Sequence, residues 1–355
     1  MNAHRRRRRV SPVFPLAAVL LLSSLVLAQD PAKSNKSPAE GLPPWIQRLT
    51  HFGERADFSH DGKRVLFLEK TFGDVFEIDL ATRIIRPITH HYPHAGYVRA
   101  LYLANGDILL SGAKTFDSDH ADAARTRDPE LWILDRSLTK PPVRLNEKCA
   151  EGPAVSRTQM RIAWTINDAL YPDRLAKGQS QIWMADIVYE NGSPKLANKK
   201  LVLDSQALPF KCSLETQNFR PPHEKELIFS AYGYQGTDVM GVDLQTGQVV
   251  NYSNSPSQYD EPEGIFPDGQ YTLVECDKHN LKGYQNIDIY KLKLDGSALY
   301  TRLTYFNDYP GCKASNPVVS DDGRFIAFQL AKTSEAAGVG HGIFLFDLAH
   351  LQAAK

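Results

Sequence analysis

Short apolar stretches separated by polar turns run along the chain, and one arrangement of them recurs near its two ends. Residues 56–67 predict a strand, an Asp-Gly turn and a second strand, and residues 76–80 predict a third strand. Residues 317–328 and 343–348 repeat this order. A repeating unit made of short strands is typical of a β-propeller, in which each repeat forms one four-stranded blade.

Two landmarks allow the blades to be counted. The first is a third strand that ends in Asp, and it recurs at residues 79, 135, 186, 243, 295 and 347. The second is an outer strand similar to Arg-Leu-Thr, and it recurs at residues 48–50, 87–89, 143–145, 201–203, 249–251 and 302–304. The intervals fit a blade of about 40–50 residues. The chain is therefore predicted to form six blades.

The order of the landmarks also predicts how the ring closes. No outer strand follows residues 346–348, whereas an unmatched one, residues 48–50, precedes the first repeat. An open sheet edge would expose unpaired amides and carbonyls, and pairing the two ends removes it. We therefore predict an all-β fold, a six-bladed β-propeller whose N-terminal strand closes the last blade. The alternative is a β-sandwich with coincidental periodicity.

The first 28 residues have the three parts of a signal peptide. A basic head from Arg5 to Arg9 precedes an apolar run, residues 14–27, and a small-residue cleavage site. The apolar run is shorter than the roughly 20 residues that span a bilayer, so a membrane anchor is the less favoured alternative. We predict a signal peptide over residues 1–28, a disordered leader over 29–44 and a single β-propeller domain over 45–355.

Export would place the mature protein in the periplasm or outside the cell, with no membrane span after signal cleavage. Lys and Arg total 41 and so do Asp and Glu, but part of the basic count lies in the signal peptide, so the mature chain is mildly acidic. A mildly acidic chain does not favour nucleic acid or an anionic membrane surface as a partner. We expect a monomer.

Four cysteines suggest disulfide bonds in an exported protein. They are Cys149, Cys212, Cys276 and Cys312. The blade alignment places all four towards one face of the disc, and neighbouring blades suggest the pairs Cys149–Cys212 and Cys276–Cys312. Free buried thiols are the alternative. A zinc site is disfavoured because no two cysteines have a spacing of two to four residues.

Acidic residues recur where the first strand of each blade begins. Alignment of the blades on their turns places one residue per blade at a mouth of the channel, namely Glu54, Val98, Glu151, Glu215, Glu261 and Ser315. Asp260 and Glu263 lie beside Glu261. Converging carboxylates could bind Ca²⁺, a cationic ligand or a sugar, and crowding could give one of them a raised pKa for acid–base chemistry. The alternative is a set of solvated acidic loops.

Histidines follow in the crossover from blade one to blade two, close to the same mouth. His91 and His94 have a His-x-x-His spacing that could ligate Zn²⁺ or Mn²⁺, with His90 beside them. No predicted helix or hairpin holds this segment, so exposed loop histidines are the alternative.

Two long polar insertions separate second from third strands. They are residues 114–129 in blade two and 167–179 in blade three. Tyr232, Tyr234 and Tyr284 lie in similar loops and could stack on a sugar or a peptide. From their position between second and third strands, we expect these loops to project from the face opposite the carboxylates.

Three segments resemble the repeat of TolB-type propellers, whose usual core is Phe-Ser-Pro-Asp-Gly-Lys followed by an apolar strand. They are residues 58–64, 265–270 and 320–328. The resemblance implies a six-bladed periplasmic propeller that binds partner proteins or peptides. Oligogalacturonate lyases resemble the same repeat, and that resemblance implies histidines in the channel that hold a metal.

These observations favour an exported binding module for a protein, peptide or glycan of the cell envelope, without a cofactor, over an enzyme. The alternative is a metal-dependent carbohydrate-active enzyme, similar to oligogalacturonate lyase, that uses Glu and His at the channel mouth with Ca²⁺ or Mn²⁺.

Overall fold

Six four-stranded antiparallel sheets form a ring in the computed structural model, which describes Lys33 and residues 36–353, the side chains of 351–353 excepted. The first strands of neighbouring blades contact one another all the way around a central channel. The predicted six-bladed β-propeller is confirmed. The predicted signal peptide, residues 1–28, lies outside the described residues.

The strands are numbered in chain order, beginning with β1 at Ile46–Arg48. Blades one and two contain β2 to β5 (Glu54–Phe58, Arg64–Leu68, Val75–Asp79, Ile85–Pro87) and β6 to β9 (Arg99–Tyr102, Ile108–Ala113, Pro129–Leu134, Val143–Lys148). Blades three and four contain β10 to β13 (Ala150–Val155, Arg161–Asn167, Ser180–Glu190, Ser193–Asp204) and β14 to β17 (Ser213–Phe219, Glu226–Tyr232, Thr237–Asp243, Val249–Asn251). Blade five contains β18 to β21 (Asp260–Ile265, Tyr271–Cys276, Asp288–Lys293, Tyr300–Arg302). Blade six contains β22 to β24 (Cys312–Val319, Phe325–Lys332, Ile343–Asp347) and β1.

The described helices are few and short. The α-helices are α1 (Ala123–Thr126) and α2 (Leu348–Ala353), and 3₁₀ helices occur at Pro38–Glu40, Ser118–His120, Ser205–Ala207 and Phe306–Asp308. Across the described part of the chain, none of the helices has the length and apolarity that crossing a bilayer requires.

The N-terminal strand closes the ring as predicted. Strand β1 pairs antiparallel with β24, and Ile46 lies opposite Phe346. The Leu49 amide donates a hydrogen bond to the Ile343 carbonyl at 2.8 Å, which extends the pairing beyond β1. Because β24 is thereby covered, blade six has the same four strands as the others and the two ends of the chain hold one blade together.

The hydrophobic cores lie between neighbouring blades. In β3, the fully buried Leu66 packs in the core shared with blade two, and the fully buried Phe67 packs in the core shared with blade six. Consecutive side chains of a strand point to opposite sheet faces, so a strand with blades on both sides buries both. This is the physical reason that the second strands have continuous apolar runs rather than alternating ones.

The repeated Ser-x-Asp-Gly sequence closes the turn between the first and second strands. Ser59 donates from its hydroxyl to the Asp61 carboxylate at 2.6 Å and accepts from the Arg64 amide at 3.0 Å. Gly62 has a φ of 66°, in the left-handed region that favours glycine. Blade two uses Asn105 instead, whose side chain accepts from the Asp107 amide at 2.9 Å. The weaker repeat therefore forms an equivalent turn from a different residue.

Residues 36–44 fall within the segment expected to be a disordered leader, and the structure places a capped 3₁₀ helix there. Ser37 accepts from the Ala39 amide at 3.3 Å, and Glu40 accepts from the Ser37 amide at 3.0 Å. Ala39 and Leu42 pack against the core between blades five and six. Apart from Lys33, the rest of the expected leader lies outside the described residues.

The predicted disulfide bonds are not formed, and all four cysteines are free thiols. The cysteines were predicted to lie towards one face of the disc, but in the structure each of them packs in a different core between blades. Cys149 packs between blades two and three and Cys212 between blades three and four. Cys276 packs between blades four and five and Cys312 between blades five and six. A sheet therefore separates the two members of each predicted pair.

The covered edge of β24 generates a first prediction. Gln47 lies opposite Leu345 in β1, and its side chain is exposed. Gln47→Pro removes a backbone donor from the ladder, so the free energy of unfolding should fall by about 1–3 kcal/mol in urea denaturation. Gln47→Ala is the matched control and should stay within about 0.5 kcal/mol of the wild type. Equal stability of both variants would contradict the role given to this pairing.

The free thiols generate a second prediction. Protein purified without reductant and unfolded in guanidinium should titrate four thiols per chain with a thiol reagent. The folded protein should react slowly at three of them, because Cys149, Cys276 and Cys312 are buried. A count of zero after unfolding would instead support the disulfide pairs expected from the sequence.

Candidate functional site

The central channel contains two cavities, one above the other. The upper cavity, about 390 Å³, lies at the face where the first strand of each blade begins. The lower cavity, about 300 Å³, lies where these strands end. Arg99 and Glu263 line both cavities, with Arg99 Nη1 3.8 Å from Glu263 Oε2. These two side chains therefore lie between the two cavities.

One side of the upper cavity, here the acidic wall, consists of Glu215, Glu261, Glu263 and Glu275. Tyr232 Oη lies 2.6 Å from Glu215 Oε2 and 2.5 Å from Glu261 Oε1. A phenol has one proton to donate, so the second short contact requires a proton on one of the two carboxyls. The pKa of Glu215 is raised well above its usual value by burial and by the charge of Glu261.

The pKa of Glu261 is also raised, by burial, although hydrogen bonds from Tyr232 and Tyr259 lower it in part. For Glu263, burial raises the pKa to about 8 against the opposing charge of Arg99. For Glu275, burial and then the charge of Glu261 raise the pKa to about 8. At neutral pH, this wall therefore holds protons that free carboxylates would have lost.

The opposite side, here the basic wall, is built around Glu151. Arg55 and Arg125 both donate to Glu151 Oε1. Burial alone would raise the pKa of Glu151, but the charges of Arg55, Arg125 and Arg99 lower it to about 2. Arg55 also donates to the Val98 carbonyl at 2.8 Å, which links blade one to blade two. The cavity is therefore electrically polarised, with an ionised carboxylate among arginines facing a protonated acidic cluster.

Irregular first strands aim several of these side chains. The pairing register shifts between Glu54 and Asp57 in blade one and between Ala150 and Ala154 in blade three. Within these bulges Arg55 has a φ of 52° and Glu151 a φ of 29°. Bulges redirect side chains that regular alternation would point elsewhere. The positions of Arg55 and Glu151 thus depend on local backbone irregularity rather than on strand periodicity.

The loops between second and third strands lie on the upper face, so the expectation that they project from the opposite face is wrong. Arg125 comes from the insertion 114–129, and its Nη1 donates to the Ala337 carbonyl of the β23–β24 loop at 2.7 Å. Tyr232 and Tyr284 also line the upper cavity. The physical reason is that the second strand runs antiparallel to the first, and so it ends where the first begins.

Four of the six acidic residues singled out in the sequence line the upper cavity, namely Glu151, Glu215, Glu261 and Glu263. Glu54 and Asp260 do not. Glu54 is fully buried outside the cavity lining and accepts from the Thr71 hydroxyl at 2.7 Å. Asp260 accepts from the Tyr300 hydroxyl at 3.0 Å, in the packing between blades four and five.

Sequence reasoning missed Arg55, Arg99 and Glu275. Only the first strands were aligned, and Glu275 belongs to the second strand of blade five. An alignment that included the ends of the second strands would have found it, because those ends reach the same face. No sequence signal marked Arg55, since the bulge that turns it into the channel is a property of the backbone.

His91 and His94 have separate partners. His94 Nε2 lies 2.9 Å from Asp74 Oδ1, and the exposed His91 lies 3.2 Å from the Leu138 carbonyl. Among the described residues, no group of three or more His, Cys, Asp or Glu side chains is placed to hold a metal ion. The two imidazoles therefore do not form a common ligand set.

Arg157 reaches across the lower end of the channel. It comes from the turn after β10, and its Nη2 lies 2.7 Å from Asp321 Oδ1 in blade six. Its Nη1 lies 3.4 Å from Asp57 Oδ1 in blade one, and His60 lies 2.8 Å from Asp321. Burial raises the pKa of Asp57 although Arg157 opposes this effect. This side chain ties blade three to blades one and six.

Solved structures share this arrangement of blades. A structure assigned as TolB from Agrobacterium tumefaciens matches with a TM-score of 0.53 at 14% identity, over 76% of this chain and 95% of that one. The chain has the TolB-like propeller fold. An oligogalacturonate lyase in complex with manganese matches with a TM-score of 0.50 at 12% identity, over 85% of this chain and 93% of the lyase. Such identities establish the fold alone. No protein-family model matches the sequence, and no curated protein is significantly similar to it.

Among the described residues, the channel of this TolB-like propeller lacks the histidines that a manganese site of the lyase kind was expected to use. The sequence resemblance implied channel histidines as metal ligands, but no described histidine lines the upper or the lower cavity. The carboxyls of the acidic wall contact tyrosine hydroxyls and Asn316 instead. The residues present do not fit the histidine-based manganese site that the resemblance implied.

The raised pKa values generate a third prediction. A glutamate ionises near pH 4.3 when unfolded, whereas the pKa of Glu275 in the fold is about 8. Between these values the folded protein binds more protons, so stability should fall as the pH rises from about 5 to 9. Glu275→Gln should flatten this decline and exceed the wild type by about 2–4 kcal/mol at pH 9 in denaturant unfolding.

The exposed Glu69 provides the control, since Glu69→Gln should follow the wild-type pH profile. A Glu275→Gln variant whose stability falls with pH as steeply as the wild type would show that this carboxyl is ionised throughout.

Proposed function

We propose that this protein is an exported binding module whose upper cavity receives part of a peptide or protein partner in the cell envelope. Export is supported by the N-terminal sequence, with its basic head, apolar run and cleavage site. Binding is supported by the cavity itself, which is concave and carries a few convergent polar groups on a rigid ring. The polarised walls are the observation that carries the proposal.

A peptide suits these walls because it offers both charges and a polar backbone. The acidic wall presents carboxyls and tyrosine hydroxyls, and the basic wall presents Arg55, Arg99 and Arg125. Aromatic side chains at the rim add contact area, and Tyr284 is 57% exposed there. A neutral glycan offers no charged group to either wall.

One observation favours a second candidate, acid–base chemistry on a glycan. Glu215 and Glu261 contact the same Tyr232 hydroxyl and differ in their surroundings. A proton shared by two nearby carboxyls is suited to general acid and base roles. Release of reducing ends from uncharged or acidic oligosaccharides, lost in Glu261→Gln, would support this candidate over the binding module.

The binding proposal generates a fourth prediction, tested by capture from envelope extract. Tyr284→Ala removes an aromatic side chain at the cavity rim, whereas Tyr305→Ala removes one that is 55% exposed away from either cavity. Wild type and Tyr305→Ala should capture the same partner, and Tyr284→Ala should capture it about tenfold less, as for a rim contact worth about 1.4 kcal/mol. Equal capture by the two tyrosine variants would refute the upper cavity as the binding site.

A further inference from the structure

Arg99 is a largely buried side chain whose guanidinium has no hydrogen-bond acceptor in the described part of the chain. Its side chain is 11% exposed, and it lines both cavities of the channel. The Glu263 carboxyl is near it, but Arg99 Nη1 is 3.8 Å from Glu263 Oε2, which is longer than a hydrogen bond. A guanidinium carries several N–H donors, and buried donors are costly when nothing accepts from them. Arg99 can therefore serve an acceptor that comes from outside the chain.

The other arginines that line the two cavities have acceptors within the chain. Arg55 and Arg125 each donate to Glu151 and to a backbone carbonyl. Arg157 donates to two carboxylates and to a backbone carbonyl. Buried guanidinium groups of this channel are thus held by fixed acceptors wherever the chain provides them. The missing acceptor is a property of the position of Arg99.

The neighbouring glutamates do not replace that acceptor. Glu263 Oε1 accepts from the Asn316 side chain at 2.9 Å, and burial raises the pKa of Glu263 to about 8, so this carboxyl holds a proton at neutral pH. Glu151 is ionised under the charge of Arg99, but its hydrogen bonds come from the other two arginines of the basic wall. The basic wall therefore has positive charge to spare at Arg99.

The upper cavity leads from an exposed rim down to Arg99. Ligand pockets measure about 300–1,000 Å³, and this cavity is near the small end, at about 390 Å³. Tyr284 and Val339 line it and are 57% and 42% exposed, so the rim offers apolar contact to a chain that passes over it. A cavity of this size admits the tip of a chain, and a negatively charged tip would meet Arg99.

We propose that Arg99 binds the terminal carboxylate of a peptide at the floor of the upper cavity. This inference rests on the proposed function, because it names the part of the partner that the cavity receives. A guanidinium and a carboxylate form two parallel hydrogen bonds, which is why arginine is favoured wherever a carboxylate is recognised. The residues behind the carboxylate contact the rim and leave by the upper face. An acidic glycan carries its carboxylates along its length, and only its last one could reach the floor.

The fifth prediction is tested by isothermal titration of the full mature chain with small probes. Nα-acetyl-trialanine carries one terminal carboxylate, and its C-terminal amide is the neutral control. The acid should bind at least tenfold more tightly than the amide at neutral pH, because only the acid pairs with Arg99. The Nα-acetyl α-amide of glutamic acid carries its carboxylate on a side chain and should bind less tightly than the trialanine acid. Trigalacturonate and inorganic phosphate test an acidic glycan and another oxyanion.

Substitutions of Arg99 locate the site. Arg99→Gln removes the charge and should abolish the preference for the acid over the amide. Arg99→Lys keeps the charge without the planar fork and should retain part of the preference. Arg127→Gln is the matched control, since the Arg127 side chain is 54% exposed and lines neither cavity. Melting curves establish that each variant is folded, and the comparison of acid with amide on the wild type needs no variant.

The pH dependence gives an independent readout. Glu263 and Glu275 each have a pKa of about 8, so they lose their protons as the pH rises from about 7 to about 9 and then compete with the ligand for Arg99. Binding of the trialanine acid should weaken severalfold over this range, and binding of the amide should not change. The charged groups that face these two carboxyls are Arg55, Arg99, Glu215, Glu261 and Lys313.

The outcomes separate this inference from the proposed function. If acid and amide bind equally while Tyr284→Ala still reduces partner capture, the carboxylate inference fails and the binding module stands. If Tyr284→Ala leaves capture unchanged, the proposed function fails whatever the titrations show. Tighter binding of trigalacturonate or phosphate than of the trialanine acid, lost in Arg99→Gln, would overturn the assignment to a peptide. An equal loss of binding in Arg127→Gln would overturn the role given to Arg99.

Discussion

Every feature of the channel depends on the pairing of β1 with β24. A propeller places its first strands around one axis only if the ring is closed, and here three residues near the N terminus supply the missing outer strand. The cores between blades then fix each sheet against two neighbours, so the inner strands converge within reach of one another. Side chains from all six blades can therefore share one cavity, although they lie far apart in the sequence.

Convergence has an energetic cost that this packing offsets. Four carboxyls are buried together in one wall. Burial, and the negative charge of neighbouring carboxylates, raise their pKa values. The apolar surface buried between blades stabilises the ring against this cost. Backbone strain at Arg55 and Glu151 adds to it, in bulges that aim both side chains at the channel. Strain and like charges in one place are typical of sites kept for recognition or chemistry.

The sequence predicted the ring and part of the site, and the limits have physical causes. Turn sequences and strand periods repeat, so six blades and their closure near Leu49 could be inferred. Glu215 and Glu261 were found because they occupy equivalent positions in their blades. Periodicity could not reveal Arg55, which a bulge turns into the channel, nor Glu275, which enters from a second strand. The cysteines were predicted to lie towards one face of the disc, but each of them packs in a different core. A shared face is therefore not enough to predict a disulfide bond.

Arg99 and Glu263 determine how far a ligand can enter the channel from the upper face. Arg99 and Glu263 lie 3.8 Å apart between the two cavities of the channel, and Arg157 spans its lower end. The upper cavity is therefore a cup with a polar floor, and the lower cavity lies beneath that floor. A ligand that enters from the upper face meets Arg99 and Glu263 at the floor of this cavity, so an extended chain would place its tip there. A cavity of this shape is suited to the end of a polymer or to one of its side groups, and less to the middle of a polymer chain.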